Sequence, residues 1–403
     1  MKLRLNKTVA AVATSALLLV GVPAFSAASA SGAAAKPTFV IGYQGPLTGG
    51  NAQLGLNMVY GVQLAVNNAN KLNTLPFKLK VAKYDDQGSG TIAPAQAQAA
   101  IANKNLVAVV GPAFSTATRN SEVYYSVASV ATVSPSATNP LLTLNKPDNN
   151  FFRMVFGDDV QGAADAKFLK DKGLTKLQIV DDGSFYGSGL AAVVEKYSRA
   201  SGATVDTNTL PATSNCGGTA STTQYAGAAS AAVAANYTGI FYGGYYCDLG
   251  LFLGALASAG YHGAVMSGDG SEDPALITGT TPASAANGVY ISAGGGGAGG
   301  NLSGKLATQY KALSGFAAST ALYASQAYDA TNIIIEALKK TWKTRGGLHS
   351  LRLATVLQIH KTNWKGITGK VRFNNDGSLV GSSKGAINFF QVVSGAITQV
   401  GHS

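Results

Sequence analysis

The sequence predicts an α/β protein of two lobes, each a parallel sheet flanked by helices. Three observations carry this. Short apolar, β-branched runs alternate with helical stretches along most of the chain. The alternation breaks at 139–150, which holds two prolines, and a second β/α series begins after the break. A second break at 294–300 is nearly all glycine and reads as a connector.

In order, Thr38 to Tyr43 reads as a strand and Asn51 to Lys71 as a helix, with Leu54, Met58, Val62, Ala65 and Val66 on one face. Phe77 to Tyr84 is a strand with one wet face, and Pro94 to Asn103 an Ala/Gln-rich helix. Leu106 to Val110, Ser115 to Ser129 and Val130 to Val133 continue the rhythm. After Phe151 to Val155, the second series alternates from Val160 to Ala293. Helices are then expected at 302–313, 319–342 and 350–360, and strands at 367–373, 386–393 and 396–400. The expected division is a leader at 1–30, one lobe from 37–157 plus 294–365, and another from 158–293 plus 366–403.

The leader is argued from charge and hydropathy. Lys2, Arg4 and Lys7 precede an apolar stretch from Thr8 to Val22, and Ala28-Ser29-Ala30 is a small-residue cleavage signal. The stretch is shorter than the roughly 20 residues of a membrane span. With no cysteine beside the cleavage site, an exported, soluble protein without a lipid anchor is expected, in a periplasm or outside the cell. The formal net charge is +11. Its cations look scattered, with no block interleaved with aromatics, which argues against a nucleic-acid partner and for a solvated surface facing an anionic envelope. The two cysteines, Cys216 and Cys247, are expected to form a disulfide in an oxidising compartment. Neither their spacing nor the four histidines suggests a metal site.

Polar residues recur at strand ends. Ser115, Thr116 and Thr118 follow one run, and Ser134, Ser136 and Thr138 follow the next. This places hydroxyls and helix N-termini at the carboxyl edge of a parallel sheet, a setting for a small anion. In the second series, Tyr186, Tyr245 and Asp269 each follow a strand. Together they read as one half-site for a carboxylate and one for an ammonium, on the two walls of a cleft. Two other motifs lack their context. Gly294-x-Gly296-x-x-Gly299 has no acidic residue about 20 positions on. Gly381-x-Ser383-x-Gly385 lies between C-terminal strands, with only His402 after it. No catalytic constellation and no cofactor site are expected.

The chain resembles the branched-chain amino-acid-binding proteins, type I periplasmic solute receptors of ABC transporters. The resemblance rests on I-G-Y-Q-G-P-L-T-G (41–49), Y-D-D (84–86), V-V-G-P-A-F-S-T-A-T (109–118), S-P-S-A-T-N-P (134–140), Y-G-S-G-L (186–190), F-Y-G-G-Y (241–245) and G-D-G (268–270), in family order. It implies a two-lobed clamshell that is not an enzyme, with an amino acid as ligand, a membrane ABC permease as partner, and a monomeric state. By the same resemblance, Ser115, Thr138 and the backbone at Ser136 hold the ligand carboxylate, Tyr186 and Tyr245 line the opposite wall, and Asp269 takes the place of an acid, often Glu, that pairs with the ammonium. Leu54 stands where some relatives carry an aromatic. The alternatives are the same fold binding an amide, urea or aromatic acid, and a sensory ligand-binding module.

Overall fold

The structure is a computed structural model that describes residues 35–146, 149–212, 222–294, 302–381 and 387–403. The expected leader, Cys216, the glycine connector after Gly294 and Ser383 lie outside the described residues. The fold from Lys36 to Ser403 is one unit by its contacts.

The first lobe is built on a five-stranded parallel sheet. Its strands are β1 (Thr38–Gly45), β2 (Lys78–Asp85), β3 (Leu106–Val110), β4 (Ala131–Ser134) and β5 (Phe151–Arg153), in the order β2-β1-β3-β4-β5. Helices α1 (Ala52–Lys71), α2 (Ala93–Ala102) and α3 (Ser115–Val127) connect them. Every residue of β3 is buried, as expected for a central strand covered on both faces. Gly111 follows β3 at φ +115°, and a Cβ there would run into the Gln44 carbonyl. Glycine is therefore what lets the β3–α3 loop lie against β1.

The second lobe carries seven strands, in the order β14-β13-β10-β9-β8-β6-β7. They are β6 (Lys176–Asp181), β7 (Thr204–Thr209), β8 (Gly239–Gly243), β9 (Ala264–Ser267), β10 (Tyr290–Gly294), β13 (Ile387–Val393) and β14 (Ala396–His402). The first five are parallel, and the last two add as an antiparallel hairpin. Helices α4 (Asp158–Asp171), α5 (Phe185–Ala200), α6 (Thr222–Ala235), α7 (Tyr246–Ala259) and the short α8 (Ala275–Gly279) pack around it.

The chain then returns to the first lobe as α9 (Gly304–Ser314), α10 (Ala324–Thr341) and α11 (Gly347–His360), followed by the small ladder of β11 (Trp364–Gly366) and β12 (Gly369–Val371). Asp329 of α10 accepts from the backbone N–H of Ile367 and Thr368 at 3.2 and 2.7 Å, tying this ladder to the first lobe. The strand expected at 367–373 is thus confined to β12, because the chain turns around a buried carboxylate. The helix expected from Ser319 begins instead at Ala324. Tyr323, at φ +62°, adopts the left-handed conformation that a helix cannot continue through.

Among the described residues, no helix is long and apolar enough to cross a membrane.

Candidate functional site

Both sheets reverse their winding between two strands. In the first lobe the reversal falls between β1 and β3, and in the second between β6 and β8. Such a reversal opens a crevice outside the carboxyl ends of the strands. Here the two crevices face each other.

Ser115 opens α3 in the first crevice and is buried. The preceding N-cap, Phe114, has extended backbone and no side-chain oxygen, so no cap competes for the first N–H groups of the helix. The Ser115 hydroxyl accepts from the Asn139 N–H at 3.3 Å. Ser136 donates to the Ala113 carbonyl at 2.7 Å, and its Oγ lies 3.2 Å from the Met58 sulfur.

In the second lobe, Asp269 follows β9 and is buried. The Tyr186 hydroxyl donates to its Oδ1 at 2.8 Å, and the Tyr323 hydroxyl donates to its Oδ2. Tyr186 in turn accepts from the Gly270 N–H at 3.1 Å. A side chain at position 270 would meet the Tyr186 ring and the Gly244 carbonyl, so glycine permits this approach. Burial raises the Asp269 carboxyl above its ordinary value, and hydrogen bonds from Tyr323, Tyr186 and Gln161 oppose that shift. Burial and the charge of Asp269 push the Tyr186 and Tyr323 phenols up, so both remain donors.

These residues enclose one cavity of about 20 Å³, lined by Leu54, Met58, Ala113, Phe114, Ser115, Ser136, Tyr186, Tyr245, Asp269, Gly270 and Tyr323. Five of the six sequence-derived positions meet there: Ser115, Ser136, Tyr186, Tyr245 and Asp269. Thr138 does not line it. Its carbonyl accepts from the Arg153 guanidinium at 2.9 Å and from the Asp158 N–H at 3.1 Å. Burial, and next the charge of Asp269, hold the Asp158 carboxyl well above the usual carboxylate range. Thr138 and Arg153 thus brace the start of α4.

Tyr323 and Phe114 were not among the sequence-derived residues. Phe114 had a signal, since it directly precedes Ser115. Tyr323 follows no strand, and only the left-handed turn before α10 delivers its ring.

The cleft is closed across its width. The Phe114 and Tyr245 rings, one from each lobe, stack with centroids 4.2 Å apart and planes 17° from parallel. The Phe185 N–H donates to the Thr116 hydroxyl at 3.0 Å, and the Asn139 amide donates to the Phe185 carbonyl. A larger cavity of about 500 Å³ lies on the second lobe beside α6, α7 and Thr281, but no charged side chain lines it. Among the described residues, no group of His, Cys, Asp and Glu could hold a metal ion.

A carboxylate held by two tyrosines faces a hydroxyl and an uncapped helix N-terminus across an apolar floor. This arrangement can hold a small molecule carrying one positive and one negative group. Known proteins agree with the fold. The chain is 32% identical over 157 residues to an amino acid binding protein of Pseudomonas aeruginosa, covering 38% of this chain and 41% of that protein. It is 28% identical over 243 residues to the leucine-, isoleucine-, valine-, threonine- and alanine-binding protein of the same organism, covering 60% of this chain and 63% of that one. The matches therefore span less than two thirds of these relatives. Among solved structures, a leucine binding protein from Thermotoga maritima aligns with TM-score 0.75 at 23% identity, covering 90% of this chain and 98% of that one. A branched-chain amino acid transporter substrate binding protein from Streptococcus pneumoniae, in complex with isoleucine, aligns with TM-score 0.74 at 23% identity, covering 90% and 99%. A solute binding protein from Rhodopseudomonas palustris, in complex with 3,4-dihydroxybenzoic acid, aligns with TM-score 0.71 at 19% identity, covering 91% and 97%. The family model for the periplasmic binding protein matches residues 38–396, and the chain belongs to that family, with its two-lobed type I fold.

Proposed function

We propose that this protein is an exported receptor, not an enzyme, that captures an apolar amino acid between its lobes and delivers it to an ABC permease. The observation that carries this reading is Asp269, buried and held by two tyrosine hydroxyls opposite Ser115 and the start of α3. In this reading Asp269 receives the ligand ammonium. Ser115, the backbone at Ser136 and the α3 N–H groups receive its carboxylate, and Leu54, Met58, Phe114 and Tyr245 meet its side chain. Thr138 acts from behind, through Asp158 and Arg153. Charge-assisted hydrogen bonds away from water are the stronger kind and favour the closed state. A cavity of about 20 Å³ holds little more than one water-sized sphere, so an amino acid enters only when the stacked rings of Phe114 and Tyr245 part.

The test is titration calorimetry of ligand-stripped protein with the twenty amino acids, amides, urea and benzoic acids. Micromolar binding of an apolar amino acid, corresponding to about −8 kcal/mol, supports the receptor. Binding of benzoic acids that survives Asp269→Ala, with no amino acid bound, supports the second reading. That reading is favoured by the aromatic walls and by the raised Asp269 carboxyl.

In the same reading the leader at 1–30 is removed on export, the mature protein is soluble, monomeric and without a lipid anchor, and Cys216 pairs with Cys247. A mass increase on alkylation only after reduction would bear out the pairing. In this reading the lobes also exchange chain near 157, near 294 and between 379 and 387, and the contacts of 364–379 with α10 and β5 support keeping that segment with the first lobe.

A further inference from the structure

Along the sequence the cations look scattered, but the fold sorts them. Residues 36–157 and 302–380 hold 20 of the 30 Lys and Arg and 7 of the 19 Asp and Glu. Residues 158–294 hold 6 and 12. The first lobe is therefore strongly basic and the second acidic.

Within the first lobe, six of these lysines gather at one end. Chain segments meet at the amino ends of the strands, opposite the cleft. The Trp342 ring, just past α10, lies 6.3 Å from Phe77 at the start of β2. Lys36 bonds the Asn73 side chain at 3.0 Å, joining the entry to β1 with the end of α1. Arg352 of α11 donates to the Asn103 and Leu106 carbonyls at 3.2 and 2.9 Å, joining it to the α2–β3 turn. These ties gather Lys36, Lys71, Lys78, Lys104, Lys340 and Lys343 on one pole, and all but the half-buried Lys36 are exposed. Segments 71–80, 103–105 and 336–349 contain one carboxylate, Glu336, which pairs with Lys339 at 2.8 Å. Two apolar groups sit among the cations. Leu72 is 72% exposed, and the half-buried Trp342 carries the Lys343 ammonium 5.0 Å above its ring.

We infer that this pole is a docking surface for an anionic phospholipid membrane. A polybasic surface is attracted to anionic headgroups within a Debye length. An exposed leucine and a tryptophan with a neighbouring lysine suit the boundary between headgroups and acyl chains. The acidic second lobe is repelled from the same surface, so the protein is oriented as well as attracted. Docking by this pole puts the first lobe nearest the bilayer, with the interlobe cleft and the second lobe farther out.

The test is co-sedimentation of the mature chain, residues 31–403, with vesicles of phosphatidylcholine alone or with 30 mol% phosphatidylglycerol. Binding at least tenfold stronger to the anionic vesicles, abolished by 0.5 M salt, is expected. The variant Lys71→Glu/Lys78→Glu/Lys340→Glu/Lys343→Glu should bind both vesicles alike. A matched reversal of Lys167, Lys170, Lys196 and Arg199 on the second lobe should leave binding intact. In a Trp364→Phe background, Trp342 fluorescence should shift blue on anionic vesicles. Each variant is compared by melting temperature, and replacing the same four pole lysines by Gln provides a milder form if the reversal fails to fold. Anionic-vesicle binding unchanged by the pole variants, or lost equally in the second-lobe reversal, overturns the inference. So does binding of soluble polyphosphate without binding of vesicles.

Discussion

The Tyr323 hydroxyl reaches from the start of α10 in the first lobe to the Asp269 carboxylate in the second. One hydrogen bond thus spans the cleft and also fixes the acid that faces the cavity. A bulky residue at φ +62° costs on the order of 1–3 kcal/mol of backbone strain, and here the conformation coincides with the candidate site.

Removing that hydroxyl isolates its role. Tyr323→Phe keeps the ring and deletes a bond to a charged acceptor, worth about 1.5–3 kcal/mol. Ligand affinity should fall roughly tenfold or more, read by titration calorimetry, alongside a melting-temperature drop of a few degrees from the same lost bond. Unchanged affinity would remove Tyr323 from the site.

The two ends of the ligand should separate by mutation. Ser115→Ala and Asp269→Ala should each weaken amino-acid binding by at least about tenfold, since each removes one partner of a charged group. Thr138→Val should affect binding less than either alanine variant, because Thr138 does not line the cavity and its contacts with Arg153 and the Asp158 N–H are made by its backbone carbonyl. Full affinity in both alanine variants would sink the proposed site.

The Phe114–Tyr245 stack should hold the lobes together without ligand. Aromatic pairs contribute about 0.5–1.5 kcal/mol beyond their area. Phe114→Ala should enlarge the radius of gyration of the ligand-free protein in small-angle X-ray scattering, and saturating ligand should reverse much of the change.

Stability should depend on pH through buried acids away from the cavity. Burial raises the Asp86 and Asp182 carboxyls to about 7 each, against hydrogen bonds from Gly88 and Gln44 to Asp86 and from Ser184 to Asp182. Both values lie above the unfolded value near 3.8. Between these limits the native state binds more protons, so stability is greatest at low pH and falls as pH rises through about 7. Melting temperature should decline from pH 5 to pH 8, and Asp86→Asn should flatten the slope. A rising profile would mean that Asp86 and Asp182 stay ionised in the fold.

The β/α rhythm, the break at 139–150 and the strand-end positions of Ser115, Ser136, Tyr186, Tyr245 and Asp269 were legible in the sequence. Each depends on local pattern, meaning hydrophobic period, turn residues and the carboxyl ends of predicted strands. Three things waited for the tertiary structure. Tyr323 enters the cavity through a backbone turn that no periodicity encodes. Thr138 sits on the expected loop, but its carbonyl is taken by Arg153 and the Asp158 N–H, and it does not line the cavity. The basic pole exists only because α1, α10 and the strand starts converge there, so lysines more than 260 positions apart become neighbours. Local pattern determines which residues stand at the ends of elements; the packing of those elements decides which ends meet.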